Sequence, residues 1–213
     1  MRITKIMLFV LLFCSFCLTA FANISSKTLK EKAAAGEFKA TIPRLMLTTS
    51  LARQNATANI NTTIDKFRYQ AEKIGNTNVN FEVVSNNADY VSLLFYGTAY
   101  LEGVAHPEID THALVINKVN GSIMNLQDFI KIPSVKFMKE QAALGKLKVL
   151  AIDGKTEIDV DHIQSLKTIP QEFIVDNYGN VYLLATDMTI YATGTPLILF
   201  PLDTYKDFYV AKG

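Results

Sequence analysis

The spacing of hydrophobic and polar positions changes several times along this chain, and each change predicts an element. Ile60, Ile64, Phe67, Ala71 and Ile74 recur at four, three, four and three residues, which makes Thr49 to Ile74 an amphipathic helix with one apolar stripe. Thr48, Thr49 or Ser50 can cap its start and Gly75 ends it. The stripe is expected to face a core. Before the helix, Glu37 to Leu45 reads as a strand that Pro43 restricts to an edge or an end. After it the period falls to two: Val79, Phe81 and Val83 alternate with Asn80 and Glu82, Tyr90 to Leu101 returns, and Thr111 to Val119 follows a loop from Gly103 to Asp110. That last strand ends in Asn120-Gly121, a hairpin signal because both residues accept positive φ.

The second half is built of shorter pieces. Asn125 can cap one turn through Ile130, and Ser134 can cap a helix carrying Val135, Met138 and Ala142 before Gly145. Lys146 to Asp161 is the least readable stretch. Phe173 to Asp176, Val181 to Ala185 and Leu197 to Phe200 read as strands, and Thr204 to Phe208 as one helical turn. The expectation is an α+β fold: an antiparallel meander sheet packed against one long amphipathic helix and shorter helices.

The N-terminus sets the compartment. Residues 1–22 contain Arg2 and Lys5, then an apolar run from Ile6 through Leu18, then Ala20-Phe21-Ala22, the small-x-small pattern of a cleavable export signal. Cleavage is expected after Ala22, giving a periplasmic or secreted protein that meets the membrane only transiently; a retained anchor is the alternative. Residues 23–36 are polar and Ala/Lys-rich, and are expected to be a mobile leader or a short helix over Thr28 to Ala35. Residues 37–213 are then a single domain.

Composition narrows the function. The chain has 213 residues, 49% of them hydrophobic, with a formal net charge of +1 that falls to −1 once Arg2 and Lys5 are removed. This material suffices for a real core and disfavours nucleic acid as a partner. Both cysteines, Cys14 and Cys17, lie in the export segment, so the mature chain has no thiol for catalysis or for a disulfide. Nine tyrosines and thirteen phenylalanines fall mostly at core periods and not in a stacking row for sugars or bases.

Hallmark catalytic motifs are absent: no Gly-x-Ser-x-Gly, no His-Glu-x-x-His, no glycine-rich phosphate loop. His106 and His112, with Glu108 and Asp110 between them, have ligand types that could hold zinc if the loop folded back, although such histidines usually hydrogen-bond to neighbours. No cofactor is expected. The run Glu157-Ile158-Asp159-Val160-Asp161-His162, if extended, places three carboxylates on one face, either to collect a cation or a cationic partner or to form a solvated edge.

The order of parts in the second half resembles the extracytoplasmic domain shared by RsiV-type lysozyme-sensing anti-sigma factors and PdaC-type peptidoglycan deacetylases. The resemblance rests on Glu102-Gly103-Val104-Ala105-His106, Leu114-Val115-Ile116-Asn117, Asn120-Gly121 and Leu126-Gln127-Asp128-Phe129-Ile130. It continues in Phe173-Ile174-Val175, Val181-Tyr182-Leu183-Leu184, Tyr191-Ala192-Thr193-Gly194 and Phe200-Pro201, and covers Thr41 to Asp207. Val104 stands where that family has glycine, Asn117 where it has aspartate and Asn120 where it has threonine.

What the resemblance implies is the envelope-side domain alone, acting as a non-enzymatic exported binding module for a lysozyme-like protein or peptidoglycan. The candidate binding residues are Glu102, Gly103, His106, Glu108, Asp110, His112, Glu157, Asp159 and Asp161. Their acids would steer a cationic lysozyme if they clustered. Two alternatives stand beside it: a metal-dependent hydrolase of peptidoglycan using His106, Asp110 and His112, and a structural envelope subunit marked by a wide exposed apolar patch.

Overall fold

The computed structural model describes residues 22–100, 103, 106–188 and 194–211. Two five-stranded sheets form its centre. The first contains β1 (Asn23–Lys32), β2 (Glu37–Met46), β3 (Asn76–Asn86), β4 (Tyr90–Tyr100) and β5 (Glu108–Asn117), in that spatial order. Helix α1 (Ser50–Lys73) links β2 to β3, and those two strands pair in parallel over Phe38 to Ala40. The other neighbours pair antiparallel, so the sheet is mixed but mostly a meander, packed against helices as expected.

Helix α1 forms where the spacing placed it. Thr49 accepts a hydrogen bond from the Ala52 N–H at 3.1 Å, satisfying one of the orphan donors of the first turn. Ile60, Ile64 and Phe67 are fully buried against Phe38, Ala40, Val79, Leu93 and Phe95 of the sheet. Burying each such large side chain contributes about 2 kcal/mol.

The second sheet contains β6 (Lys148–Leu150), β7 (Glu157–Ile158), β8 (Phe173–Val175), β9 (Val181–Leu184) and β10 (Leu197–Phe200), ordered β7-β6-β10-β9-β8. One of its faces meets the first sheet through Leu94, Ala113, Leu150, Ile174, Leu184 and Leu197. The other holds a core with Met138 and Ala142 of α2 (Val135–Ala143), Ile163 and Leu166 near the 3-10 turn Val160–Ser165, and Tyr205 of α3 (Leu202–Tyr205). Two buried serines join the sheets: Ser92 Oγ accepts from the Val175 N–H at 3.0 Å, and Ser85 Oγ donates to the Val175 carbonyl at 2.6 Å. Both polar groups of that backbone unit are thereby paired inside the interface.

Three local expectations are corrected. The stretch 23–36 is not a mobile leader or helix: its first ten residues are strand β1, paired with β2 from Asn23↔Met46 to Lys32↔Glu37. An edge strand covered on one face needs few apolar residues, and lysines on it discourage further pairing, so its composition looks like a leader. The run after Glu157 is not extended. Only Glu157 and Ile158 are strand, and the Asp159 side chain accepts the Asp161 N–H at 2.9 Å to start a 3-10 turn, so the three carboxylates do not share a strand face. Third, Pro43 does not make β2 an outer strand. The β3 pairing ends at Ala40, so the missing N–H of Pro43 costs no ladder bond.

The Asn120-Gly121 turn has a second role. Gly121 adopts φ +73°, and a Cβ there would lie 2.0 Å from the Ala52 carbonyl oxygen. Asn55 and Asn59 of α1 donate to the Asn120 and Gly121 carbonyls at 2.8 and 3.0 Å, fastening the turn to the helix. Among the described residues, no helix is long and apolar enough to cross a membrane.

Candidate functional site

Strand β5 is the outer strand of the first sheet, so its outward backbone groups need partners from elsewhere. Glu172, just before β8, supplies one: its Oε2 accepts the Ala113 N–H at 3.0 Å. Both oxygens of that carboxylate lie 3.0 Å from Nδ1 of His112, and Oε1 is also 3.0 Å from Lys66 Nζ on α1. On the far side of the imidazole, Nε2 of His112 is 3.4 Å from Asp110 Oδ2. The ring of Phe67 meets the imidazole edge-on at 5.1 Å between centroids.

This geometry decides the protonation state. Burial opposes a charged imidazole, but carboxylates at both ring nitrogens, Asp110 and Glu172, outweigh it and raise the His112 pKa to about 9. For Glu172, burial pushes the pKa up, while hydrogen bonds from His112, Ala113 and Lys66 and the imidazolium charge prevail and lower it to about 2. His112 is therefore an imidazolium with both N–H groups committed, and Glu172 a carboxylate accepting from three groups. Neither is free to take up a proton, so the cluster is a brace between α1, β5 and the start of β8. Beside it an open cleft of about 200 Å³ is lined by Asn59, Thr62, Lys66 and Gln171 on its polar side and Met124 and Phe173 on its apolar side.

The residues expected from sequence separate. Glu102 lies outside the described residues. Gly103 and His106 are exposed, and Gly103 takes φ +86° with open space where a Cβ would stand. Glu108 is exposed at the start of β5, whereas Asp110 and His112 come together as above. Glu157 pairs with Lys148 at the outer edge of the second sheet, and the Asp159 carboxylate is spent on a local turn, accepting the Asp161 backbone N–H. Between that edge and β8, which packs on β5 together with β9, stand β6, β10 and β9. No group of three His, Cys, Asp or Glu among the described residues is placed to hold a metal ion.

Glu172 and Lys66 escaped sequence reasoning. Glu172 follows Pro170-Gln171 and looks like loop polarity, and its partners are 59 and 60 residues back at Ala113 and His112 and 106 back at Lys66. Most described aromatic side chains are at least partly buried, as their periods predict, but Tyr96 and Tyr100 are exposed, on the face of the first sheet away from α1.

No family profile matches the chain, and no curated protein matches its sequence. Solved structures do. A member of the DUF3298 family from Bacteroides fragilis superimposes with a TM-score of 0.58 at 12% identity, covering 91% of this chain and 95% of that one. A DUF3298 family protein from Pseudomonas aeruginosa gives 0.56 at 11% identity, covering 89% and 94%. At this identity and coverage the chain shares with these DUF3298 proteins the fold, over nearly its whole length.

Proposed function

We propose that this chain is a non-enzymatic, exported binding module of the cell envelope that recognises peptidoglycan. The observation that carries the reading is the saturation of its best catalytic candidates: His112, Glu172, Asp110 and Lys66 are held by one another and leave no base or metal seat at the site. The export-type N-terminus, the ordered resemblance to RsiV- and PdaC-type domains and the shared DUF3298 fold support a periplasmic or secreted role. A lysozyme-like partner has less support, because its steering needs one joined acidic patch, while the described candidate acids separate into Glu108 and Asp110 on β5 and Glu157, Asp159 and Asp161 at the far edge of the second sheet. The hydrolase alternative needs His106 beside His112, and His106 is exposed while His112 is occupied.

The test is calorimetry of residues 23–213 with soluble peptidoglycan fragments and separately with lysozyme, at low and physiological salt, with metal analysis. Micromolar binding to the fragments without turnover supports the proposal. Binding to lysozyme alone, weakened by salt, replaces it with a protein-sensing role. Retained zinc with fragment cleavage overturns it in favour of the hydrolase.

A further inference from the structure

The second sheet covers only part of the first sheet's outer face. The rest, over β1 to β3 and the end of β4, carries exposed side chains among the described residues and has an unusual composition. Cross-strand register aligns Lys30, Lys39, Asn78 and Thr98 in one row, and Asn80 and Tyr96 in the next. Tyr100 stands opposite Asn76 in a third. Asn76, Asn78 and Asn80 form an exposed ladder of side-chain amides along β3. Tyr96 and Tyr100 flank it on β4, 37% and 53% exposed, roughly 13 Å apart along the strand, a distance longer than a single sugar unit.

The polar groups are set for a ligand. The Glu37 backbone N–H can only donate, and it donates to Asn76 Oδ1 at 2.9 Å, which identifies the oxygen and leaves the Asn76 amide nitrogen out of that bond as a donor. Asn80 Oδ1 likewise accepts from Thr41 Oγ1 at 3.3 Å. The charges are set as well. Lys30 and Lys39 are direct cross-strand partners on this exposed face, and beside them Lys32 stands opposite Glu37, so the patch carries three ammonium groups to one carboxylate and is net positive. Tyrosine rings offer an apolar face with a polar tip, amides match acetamido and hydroxyl groups, and paired lysines match a carboxylate.

We infer that this sheet face is a binding platform for an acidic, N-acetylated oligosaccharide, with Tyr96 and Tyr100 stacking on sugar rings, Asn76, Asn78 and Asn80 bonding their substituents, and Lys30 with Lys39 receiving a carboxylate. The inference rests on the peptidoglycan reading above and assigns it a surface.

Three probes test it against the full mature chain by calorimetry: the peptidoglycan tetrasaccharide with its lactyl carboxylates, the neutral tetramer of N-acetylglucosamine, and polygalacturonate, which is acidic without acetamido groups. The acidic N-acetylated probe is expected to bind tightest. Tyr96→Ser with Tyr100→Ser should weaken it about tenfold, and Lys30→Gln with Lys39→Gln about fivefold, the lysine change leaving the neutral tetramer unaffected and flattening the salt dependence. Amide chemical shifts on ligand addition should centre on β3 and β4, a readout that needs no variant to fold. Wild-type-like affinity in folded variants, or shifts elsewhere, overturns the platform while the peptidoglycan reading stands. Equal or tighter binding of polygalacturonate overturns it in favour of a plain polyanion surface. Failure of the wild type to bind any saccharide overturns both.

Discussion

Glu172 and His112, sixty residues apart in the chain, form the contact at which the two sheets and the long helix meet: a carboxylate with both oxygens 3.0 Å from one imidazole nitrogen. The same carboxylate accepts the edge amide of Ala113, so a single side chain closes the open rim of β5 and, together with Asp110, neutralises a half-buried imidazolium. Removing its charge leaves the imidazolium to Asp110 alone and weakens the acceptor of the edge amide. Glu172→Gln should lower stability by about 2 kcal/mol, a drop of roughly 5 °C in Tm. Lys66→Met, which breaks only the half-exposed outer pair, should cost under about 1 kcal/mol. Equal losses in thermal melts of the two variants would contradict the ranking.

The brace has a pH signature with a definite sign. His112 is raised from 6.5 to about 9 on folding, so its contribution is fully present below pH 6.5 and is lost as pH rises through 9. Glu172 is lowered from 4.5 to about 2, so its contribution is present above pH 4.5 and is lost as pH falls through 2. Lys66, Asp110 and Glu172 are the charged groups facing the imidazole, and Phe67 packs against its edge. Denaturant midpoints should decline between pH 6.5 and 9 in the wild type, and this decline should flatten in His112→Gln. A decline of the same size in both would show that the histidine does not carry it.

Gly121 and Gly145 both take positive φ, at +73° and +65°, yet differ in surroundings. A methyl at Gly145 meets nothing within 4 Å, so Gly145→Ala should cost only the backbone penalty of about 1 kcal/mol. At Gly121 the methyl would collide with the Ala52 carbonyl and push the turn off α1, so Gly121→Ala should cost on the order of 3 kcal/mol. Urea unfolding of the pair separates a conformational cost from a close-approach cost.

Strand β1 gives a truncation test. A mobile leader could be deleted without effect. Deleting residues 23–34 should instead strip β2 of its ten-residue partner, remove the Glu31 carboxylate 2.8 Å from Arg68, and leave a long bare edge. The truncated protein should melt lower and self-associate in sedimentation velocity; unchanged melting and a monomer would argue that β1 is dispensable.

The elements most legible from the chain are those whose signals are local. Thr49, the Ile60-to-Ala71 stripe and Gly75 state the helix directly, and Ser134 with Gly145 brackets α2. Tyr96 and Tyr100 are harder, because Val91 to Phe95 are buried on both faces and hide the alternation that places the tyrosines outward. β1 is harder still, since an edge strand is written in polar residues. Nothing near Glu172 points to His112; that relationship exists only after two sheets have stacked. The acid run from Glu157 to Asp161 misleads for the opposite reason: its alternation is perfect, but Asp159 prefers to cap a turn.

The most direct test of the account is co-sedimentation of residues 23–213 with purified, intact peptidoglycan sacculi, with the supernatant assayed for released fragments and free acetate. Saturable recovery in the pellet, with nothing released, is the expected result. Protein that remains in the supernatant, or that releases soluble sugar or acetate, contradicts a non-enzymatic module that recognises peptidoglycan.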